Sequence, residues 1–164
     1  RSTINGNVSA NGGGMTMARK LMIICILMLV AMKGWAQEGL RINDLFDGSY
    51  KRNSNAIEVV IKGDQLKRYR LKVFRSLTIK NSPKDFERME RLVVADEKNA
   101  VSKETGRIGE KLYYSFYCFP AHMGNLRYVF YRNSSLREVE SNEVTLVYIE
   151  GNVTMEELKK MFKK

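Results

Sequence analysis

Cys118 and His122 are the one thiol–imidazole pair of the predicted domain, and they lie four residues apart at the end of a strand-like run. Such a pair acts as nucleophile and general base when the two groups are within hydrogen-bond reach and a third group orients the imidazole. The neighbouring sequence indicates no such third group. An enzyme with a site near Cys118 and His122 is therefore the alternative interpretation of this chain.

Metal ligands are scarce. The chain has a single histidine, so a zinc site is not expected, and Asp44 and Asp47 lack the spacing of a calcium loop. We predict no catalytic, metal-binding or cofactor-binding residue and no cofactor.

Aromatic residues are concentrated in two predicted neighbouring strands. The set is Tyr113, Tyr114, Phe116, Tyr117, Phe119, Tyr128, Phe130 and Tyr131. Alternation along the first strand places Tyr113 and Tyr117 on one face and Leu112, Tyr114 and Phe116 on the other. Because helices need to cover only one face, the second is free to present tyrosines to a partner. Tyr113, Tyr117 and Tyr131 are the predicted contacts, and cross-strand packing under a second layer is the alternative.

Basic residues form a run whose only acid is Asp64: Lys62, Lys67, Arg68, Arg70, Lys72, Arg75 and Lys80. We predict Lys67, Arg68, Arg70 and Arg75 as accessory contacts to an anionic surface, a polyanionic glycan or an acidic protein. The alternative is a solvated face that keeps the domain in solution. Nucleic acid is not a predicted partner, because the aromatic strands lack the glycines of an RNA-recognition strand and export would remove that substrate.

The N-terminal part of the chain predicts export. Arg19 and Lys20 precede an apolar run over 21–32, which is too short to span a membrane and ends in small residues before Gln37. We therefore expect a signal peptide over 15–36, with 1–14 as upstream sequence or a cloning remnant. Cys25 leaves with that segment, so residues 37–164 keep only Cys118 and can form no internal disulfide. Losing four basic residues lowers the net charge of +10 but leaves the domain basic.

Periodicity predicts the elements that must position these groups. Short helices are expected near 40–46 and from 65, a strand at 57–62, and an extended piece reaching 79. A helix should begin at Ser82-Pro83 and run towards Gly106, with a break near Asn99 left open. Strands are predicted at 111–119, 126–132 and 143–150. Thr154 and Glu157 form a capping box for a last helix, with Val153 packing on Leu158.

The chain resembles a family of small exported Bacteroidota proteins catalogued only as a domain of unknown function. The resemblance is carried by the successive segments RINDLFDGSYK, EVVIKGDQLKRYRLKVFRSLTI, LYYSFYCFP, NLRYVFYRNSSL and VTLVYIEGNVTMEELKKMF. It spans nearly all of 37–164. It implies a periplasmic or extracellular protein with one α+β domain, and it offers no catalytic residue to carry over.

These observations predict one α+β domain over 37–164, with a mostly antiparallel sheet packed by amphipathic helices. The expected sheet has a C-terminal three-stranded meander and one earlier strand. The leading functional interpretation is an exported, non-enzymatic binding or interaction module of the periplasm or cell surface. Its expected partner is an envelope protein or a glycan.

Overall fold

The structure is a computed structural model that describes residues 39–138 and 140–162, together with 16, 17 and 19. The chain divides into two units, Arg1–Gly39 and Leu40–Lys164, and the second is described below. The predicted cleavage site between Ala36 and Gln37 lies outside the described residues. Within those residues, no helix has both the length and the apolar content needed to cross a bilayer.

Six antiparallel strands form one open sheet. They are β1 (Ala56–Lys62), β2 (Leu71–Lys80), β3 (Ser102–Ile108), β4 (Lys111–His122), β5 (Asn125–Asn133) and β6 (Glu143–Gly151). Their order across the sheet is β1-β2-β6-β5-β4-β3. The helices are α1 (Pro83–Asp96) and α2 (Met155–Phe162), and 3-10 helices occupy Arg41–Phe46, Asp64–Tyr69, Glu97–Asn99 and Ser134–Leu136. This architecture agrees with the predicted α+β class.

Helix α1 covers one face of the sheet, which we call the first face. The helix buries the stripe of Phe86, Met89 and Val93 against strand residues that include Leu77 and Leu146, forming the main core. It begins at Pro83 as predicted. The Ser82 hydroxyl, however, makes no cap hydrogen bond to the backbone, and instead donates to the Asp85 carboxylate at 2.5 Å.

The chain does not continue as a helix towards Gly106 and instead breaks near Asn99, the alternative that the sequence left open. The α-helix ends at Asp96, whose buried carboxylate accepts the backbone N–H groups of Arg41 (2.7 Å) and Ile42 (3.0 Å). After the 3-10 turn the chain enters β3, an edge strand that is exposed along most of its length. Because a strand exposed on both faces needs no apolar alternation, the sequence of β3 contains no pattern that predicts it.

Strand β4 carries a bulge that reverses the predicted facing of its first residues. Gly106 lies opposite Tyr114 and Arg107 opposite Leu112, so Tyr113 has no partner on β3. Leu112 consequently joins the main core, and its N–H donates to the Glu90 carboxylate of α1 at 2.9 Å. Because the bulge adds one residue to β4, a side chain before it projects to the face opposite to the one that regular alternation would give it.

Helix α2 covers only one end of the opposite face, which we call the second face. Its capping box is confirmed, because the Thr154 N–H donates to Glu157 at 2.8 Å and the Glu157 N–H donates to the Thr154 hydroxyl at 3.3 Å. Val153 and Leu158 are both buried, and they pack with Phe116 and Ile149 in a second, smaller core. The other end of the second face lies beyond this cluster.

Candidate functional site

A groove of about 620 Å³ occupies the part of the second face that α2 leaves uncovered. Its floor comes from three central strands, with Tyr114 and Phe116 on β4, Phe130 on β5, and Thr145 and Val147 on β6. Cross-strand register explains why these side chains meet. Phe116 lies opposite Phe130, and Phe130 lies opposite Val147, so all three project to the same side.

The aromatic residues of the floor pack on one another. The Phe116 and Phe130 ring centroids are 3.9 Å apart at an interplanar angle of 61°, and Phe116 also stacks on Tyr128 at 5.9 Å. The Tyr128 hydroxyl donates to the Val153 carbonyl at 2.7 Å, which ties β5 to the start of α2. Phe116 is almost fully buried, whereas Tyr114 is 36% exposed. The accessible floor therefore belongs mainly to Tyr114 and the half-buried Phe130.

Charged pairs line the rim of the groove. Lys159 of α2 contacts Glu104 of β3 at 2.7 Å, and Arg132 of β5 contacts Glu138 at 2.8 Å. The Lys159 ammonium also lies 5.6 Å from the Phe116 ring centroid. Glu143, paired with Lys80 at 3.4 Å, completes the rim at the end of β6. The groove thus combines an apolar floor with a rim that carries cationic hydrogen-bond donors and anionic acceptors.

The predicted tyrosine surface requires correction. Tyr117 and Tyr131 are buried in the main core beneath α1, at 0% and 2% exposure. Burial raises the pKa of Tyr117 to about 12 and also raises the pKa of Tyr131. Among the described residues, neither hydroxyl has a hydrogen-bond partner. Both residues therefore contribute to packing under a second layer, the alternative stated above, although Tyr131 also borders the groove.

Tyr113 lies apart from the other two predicted contacts. Its ring is half-exposed, lies 6.0 Å from that of Tyr114, and has the guanidinium groups of Arg137 and Arg132 at 4.8 and 5.9 Å. Because Arg132 pairs with Tyr114 across the strands, Tyr113 belongs to the neighbourhood of the groove. The bulge separates it from Tyr117.

Two of the predicted basic contacts lie together on the 3-10 helix Asp64–Tyr69. Lys67 forms an ion pair with Asp64 at 2.6 Å, and the Arg68 guanidinium lies 4.6 Å from the Tyr69 ring centroid. All four side chains are strongly exposed. This pair of cations fits the alternative of a solvated surface as well as it fits an accessory contact.

The other two basic residues serve different elements. Arg70 has a left-handed backbone (φ 58°) and forms an ion pair with Glu157 in the first turn of α2. Arg75 lies opposite Tyr148 on the first face, with its guanidinium 5.8 Å from the Phe46 ring. The predicted run therefore does not form one continuous patch.

Cys118 and His122 do not form an evident catalytic site. The Cys118 side chain packs against the second core beside Phe116 and Tyr128, and burial raises the pKa of its thiol. A raised pKa reduces the thiolate fraction, which is the opposite of what a nucleophile needs. A register shift in β4 lies between Phe119 and His122. Among the described residues, no group of three or more histidine, cysteine or acidic side chains is arranged to hold a metal ion.

Sequence reasoning missed most residues of the groove as candidates, among them Glu104, Tyr114, Arg132 and Lys159. Tyr114 and Phe130 were part of the aromatic set, and alternation correctly separated Tyr114 from Tyr117. The face of Tyr117 and Tyr131 was expected to be open, but helix α1 covers it. A signal for the bulge exists in the sequence, because Gly106 stands in β3 and glycine often marks such positions. A Cβ atom at Gly106 would lie 2.2 Å from the Tyr114 ring.

The fold and groove define a class of small α+β domain with an open antiparallel sheet, covered by α1 over the middle of one face and by α2 over one end of the other. Comparison of the sequence with protein families then identifies the group. The chain belongs to the family described as "Family of unknown function (DUF6108)", whose model matches residues 29–162. No curated protein and no solved structure matches the chain.

Proposed function

We propose that this protein is an exported, non-enzymatic binding module of the periplasm or cell surface, and that its ligand occupies the groove on the second face. The observation that supports this most strongly is the incomplete cover of that face. Helix α2 buries one end, while Tyr114, Phe130 and Val147 line an opening of about 620 Å³ at the other. Ligand sites commonly fall between about 300 and 1,000 Å³ and combine an apolar lining with a few polar groups.

The chemistry of the groove favours an amphipathic ligand. An apolar group, such as a peptide side chain or the face of a sugar ring, would rest on Phe130 and Tyr114. Its polar groups would meet the rim, where Arg132 and Lys159 supply donors and Glu143 supplies acceptors. An envelope protein segment and a glycan both present this combination. Tyr113 would act beside the groove, and the cations Lys67 and Arg68 would add at most weak attraction to an anionic surface.

The enzymatic alternative gains no support from a specific observation. Burial of Cys118 disfavours a nucleophilic thiol, and His122 lies beyond a register shift from it. Binding is therefore the function we propose.

The test uses two variants of matched chemistry. Tyr114→Ser with Phe130→Ser removes the accessible floor, and Tyr69→Ser removes a tyrosine of similar exposure (41%) outside the groove. Immobilised protein would capture components from the solubilised envelope of its own cell, and each captured component would then be titrated into labelled protein and followed by NMR. We expect the captured component to change the NMR shifts of residues around the groove. The double variant should lose at least tenfold in affinity, and Tyr69→Ser should bind with unchanged affinity.

Thermal melts must show that both variants remain folded. Undiminished binding by the folded double variant would contradict the groove as the site. Chemical conversion of the captured component by the wild-type protein would contradict a non-enzymatic function.

A further inference from the structure

The two edges of the sheet differ in how they are protected. At one edge, β3 carries Lys103, Glu104 and Arg107 and is interrupted by a register shift at Gly106. Charges and bulges are the usual means by which proteins prevent edge strands from pairing with other chains. At the opposite edge, β1 is regular and exposes Ile57, Val59 and Val60 at 57%, 39% and 48%. The β1 edge therefore has no register shift and fewer charges than β3, and its two charged residues are Glu58 and Lys62.

The free hydrogen-bonding groups of β1 belong to alternate residues. The Asn55 carbonyl accepts the Lys80 N–H at 2.7 Å, and the register from Ala56 to Lys62 continues without a shift. In an antiparallel pair, every second residue bonds to the neighbouring strand. The backbone groups of Ile57, Val59 and Ile61 therefore face β2, and those of Glu58, Val60 and Lys62 face outwards.

Two of the residues whose backbone groups face outwards, Glu58 and Lys62, carry side chains of opposite charge, so the edge can complement a second copy of itself. Glu58 and Lys62 project to the same face but are four residues apart, about 13 Å along a strand, so they cannot pair within one chain. The Glu58 Oε2 atom is buried without a hydrogen-bond partner, and Lys62 has no ion-pair partner in the described part of the chain. Arg75, opposite Val60 on β2, forms no ion pair with Glu58.

We propose that two copies of this chain pair antiparallel through their β1 edges, about a twofold axis at Val60. In this register Glu58 of each copy lies opposite Lys62 of the other, which forms two identical ion pairs. Val60 meets its own counterpart as a hydrogen-bonded pair, and Val59 meets Ile61 on the second face. The twofold axis is perpendicular to the sheet, so the α1 layers of both copies lie on the same side of one continuous sheet.

Charge exchange tests this pairing directly. Glu58→Lys or Lys62→Glu alone would place like charges opposite each other at two symmetric positions, whereas the double exchange restores both pairs. Sedimentation velocity of the purified protein should show a dimer for the wild type and for the double variant. Each single variant should have its dimer dissociation constant raised at least tenfold. Arg107→Glu on β3, which changes the net charge as Lys62→Glu does, should leave the dimer intact.

Cross-linking tests the register independently. Val60→Cys would bring two thiols together across the axis, with Cα atoms about 5.5 Å apart, which is within the range for a disulfide. Ile57→Cys would place them far apart, and both variants keep Cys118. Oxidation should therefore give a covalent dimer only for Val60→Cys.

A wild-type protein that stays monomeric at its highest soluble concentration would overturn the proposal. A dimer unaffected by the single exchanges would also overturn it, because association would then use another surface. Failure of the folded double variant to recover the dimer, or equal cross-linking at positions 57 and 60, would exclude the Val60-centred register.

Discussion

Tyr128 and Tyr131 lie on the same strand but their hydroxyl groups have different environments. Tyr128 donates to the Val153 carbonyl at 2.7 Å, whereas the buried Tyr131 hydroxyl has no hydrogen-bond partner in the described part of the chain. Removing a buried donor leaves its acceptor without a hydrogen bond, which costs about 1–3 kcal/mol. Removing a hydroxyl that has no partner carries no such cost. We therefore expect Tyr128→Phe to destabilise the fold by about 1–3 kcal/mol. Tyr131→Phe should be neutral or stabilising.

Urea unfolding of both variants, monitored by circular dichroism, measures this difference. The two substitutions remove the same atom from the same residue type on one strand, so each serves as the control for the other. Equal destabilisation by both would mean that the Tyr131 hydroxyl is hydrogen-bonded in solution.

The aromatic residues of the groove were only partly predictable from the sequence. Crowding of aromatic residues in β4 and β5, and an open face bearing some of them, follow from the sequence. The identity of those residues does not, because it depends on which face of the sheet helix α1 covers. The bulge at Tyr113 adds a second uncertainty, because it sets the facing of Leu112 and arises from pairing between two strands.

Helix α2 is the element that divides the second face into a covered end and an open groove. Its first turn depends on Glu157, whose pKa is lowered mainly by the hydrogen bond from the Thr154 backbone N–H and further by Arg70. A carboxyl group with a lower pKa in the folded state stabilises the fold above its unfolded pKa, near 4.5 here. That stabilisation is lost as the pH falls through the folded-state pKa.

We accordingly expect Glu157→Gln to lower the melting temperature at about pH 7, and we expect its difference from wild type to shrink as the pH is lowered through the folded-state pKa of the wild-type carboxyl. Glu156→Gln is the matched control, because Glu156 is exposed in the same turn. Thermal melts across this pH range give the comparison. If the difference in melting temperature between wild type and Glu157→Gln is the same at every pH, the ionised Glu157 carboxylate does not stabilise the start of α2.

Local signals in the sequence located most elements correctly. Pro83 marks the start of α1, and Thr154 with Glu157 marks the start of α2, because caps and first-turn residues act within a few positions of the chain. Strand β3 escaped prediction, since an exposed edge strand is defined by its hydrogen bonds to β4 and needs no apolar pattern. The same missing pattern left open whether the helix would break near Asn99, as it does, or continue towards Gly106.

At the scale of the whole molecule, contacts at the start of the unit Leu40–Lys164 limit where the chain can be cleaved without loss of stability. Leu40 is 5% exposed within the main core, and the Arg41 and Ile42 N–H groups are bound by Asp96. The C-terminal residue of α1, Asp96, thus holds the N-terminal end of the unit in place. A cut before residue 40 spares these contacts, and a cut a few residues later removes them.

We predict cleavage of the exported protein between Ala36 and Gln37, because Gly34 and Ala36 supply the small residues that signal peptidase requires. N-terminal sequencing of the protein from its native envelope measures the site. A chain beginning at Gln37 should melt as the exported protein does, whereas a chain beginning at Asn43 should melt lower, because it lacks Leu40 and both N–H donors to Asp96. An exported product that keeps residues 21–32 would instead indicate a membrane-anchored protein, and equal melting of the two shortened chains would mean that the Asp96 contacts do not stabilise the unit.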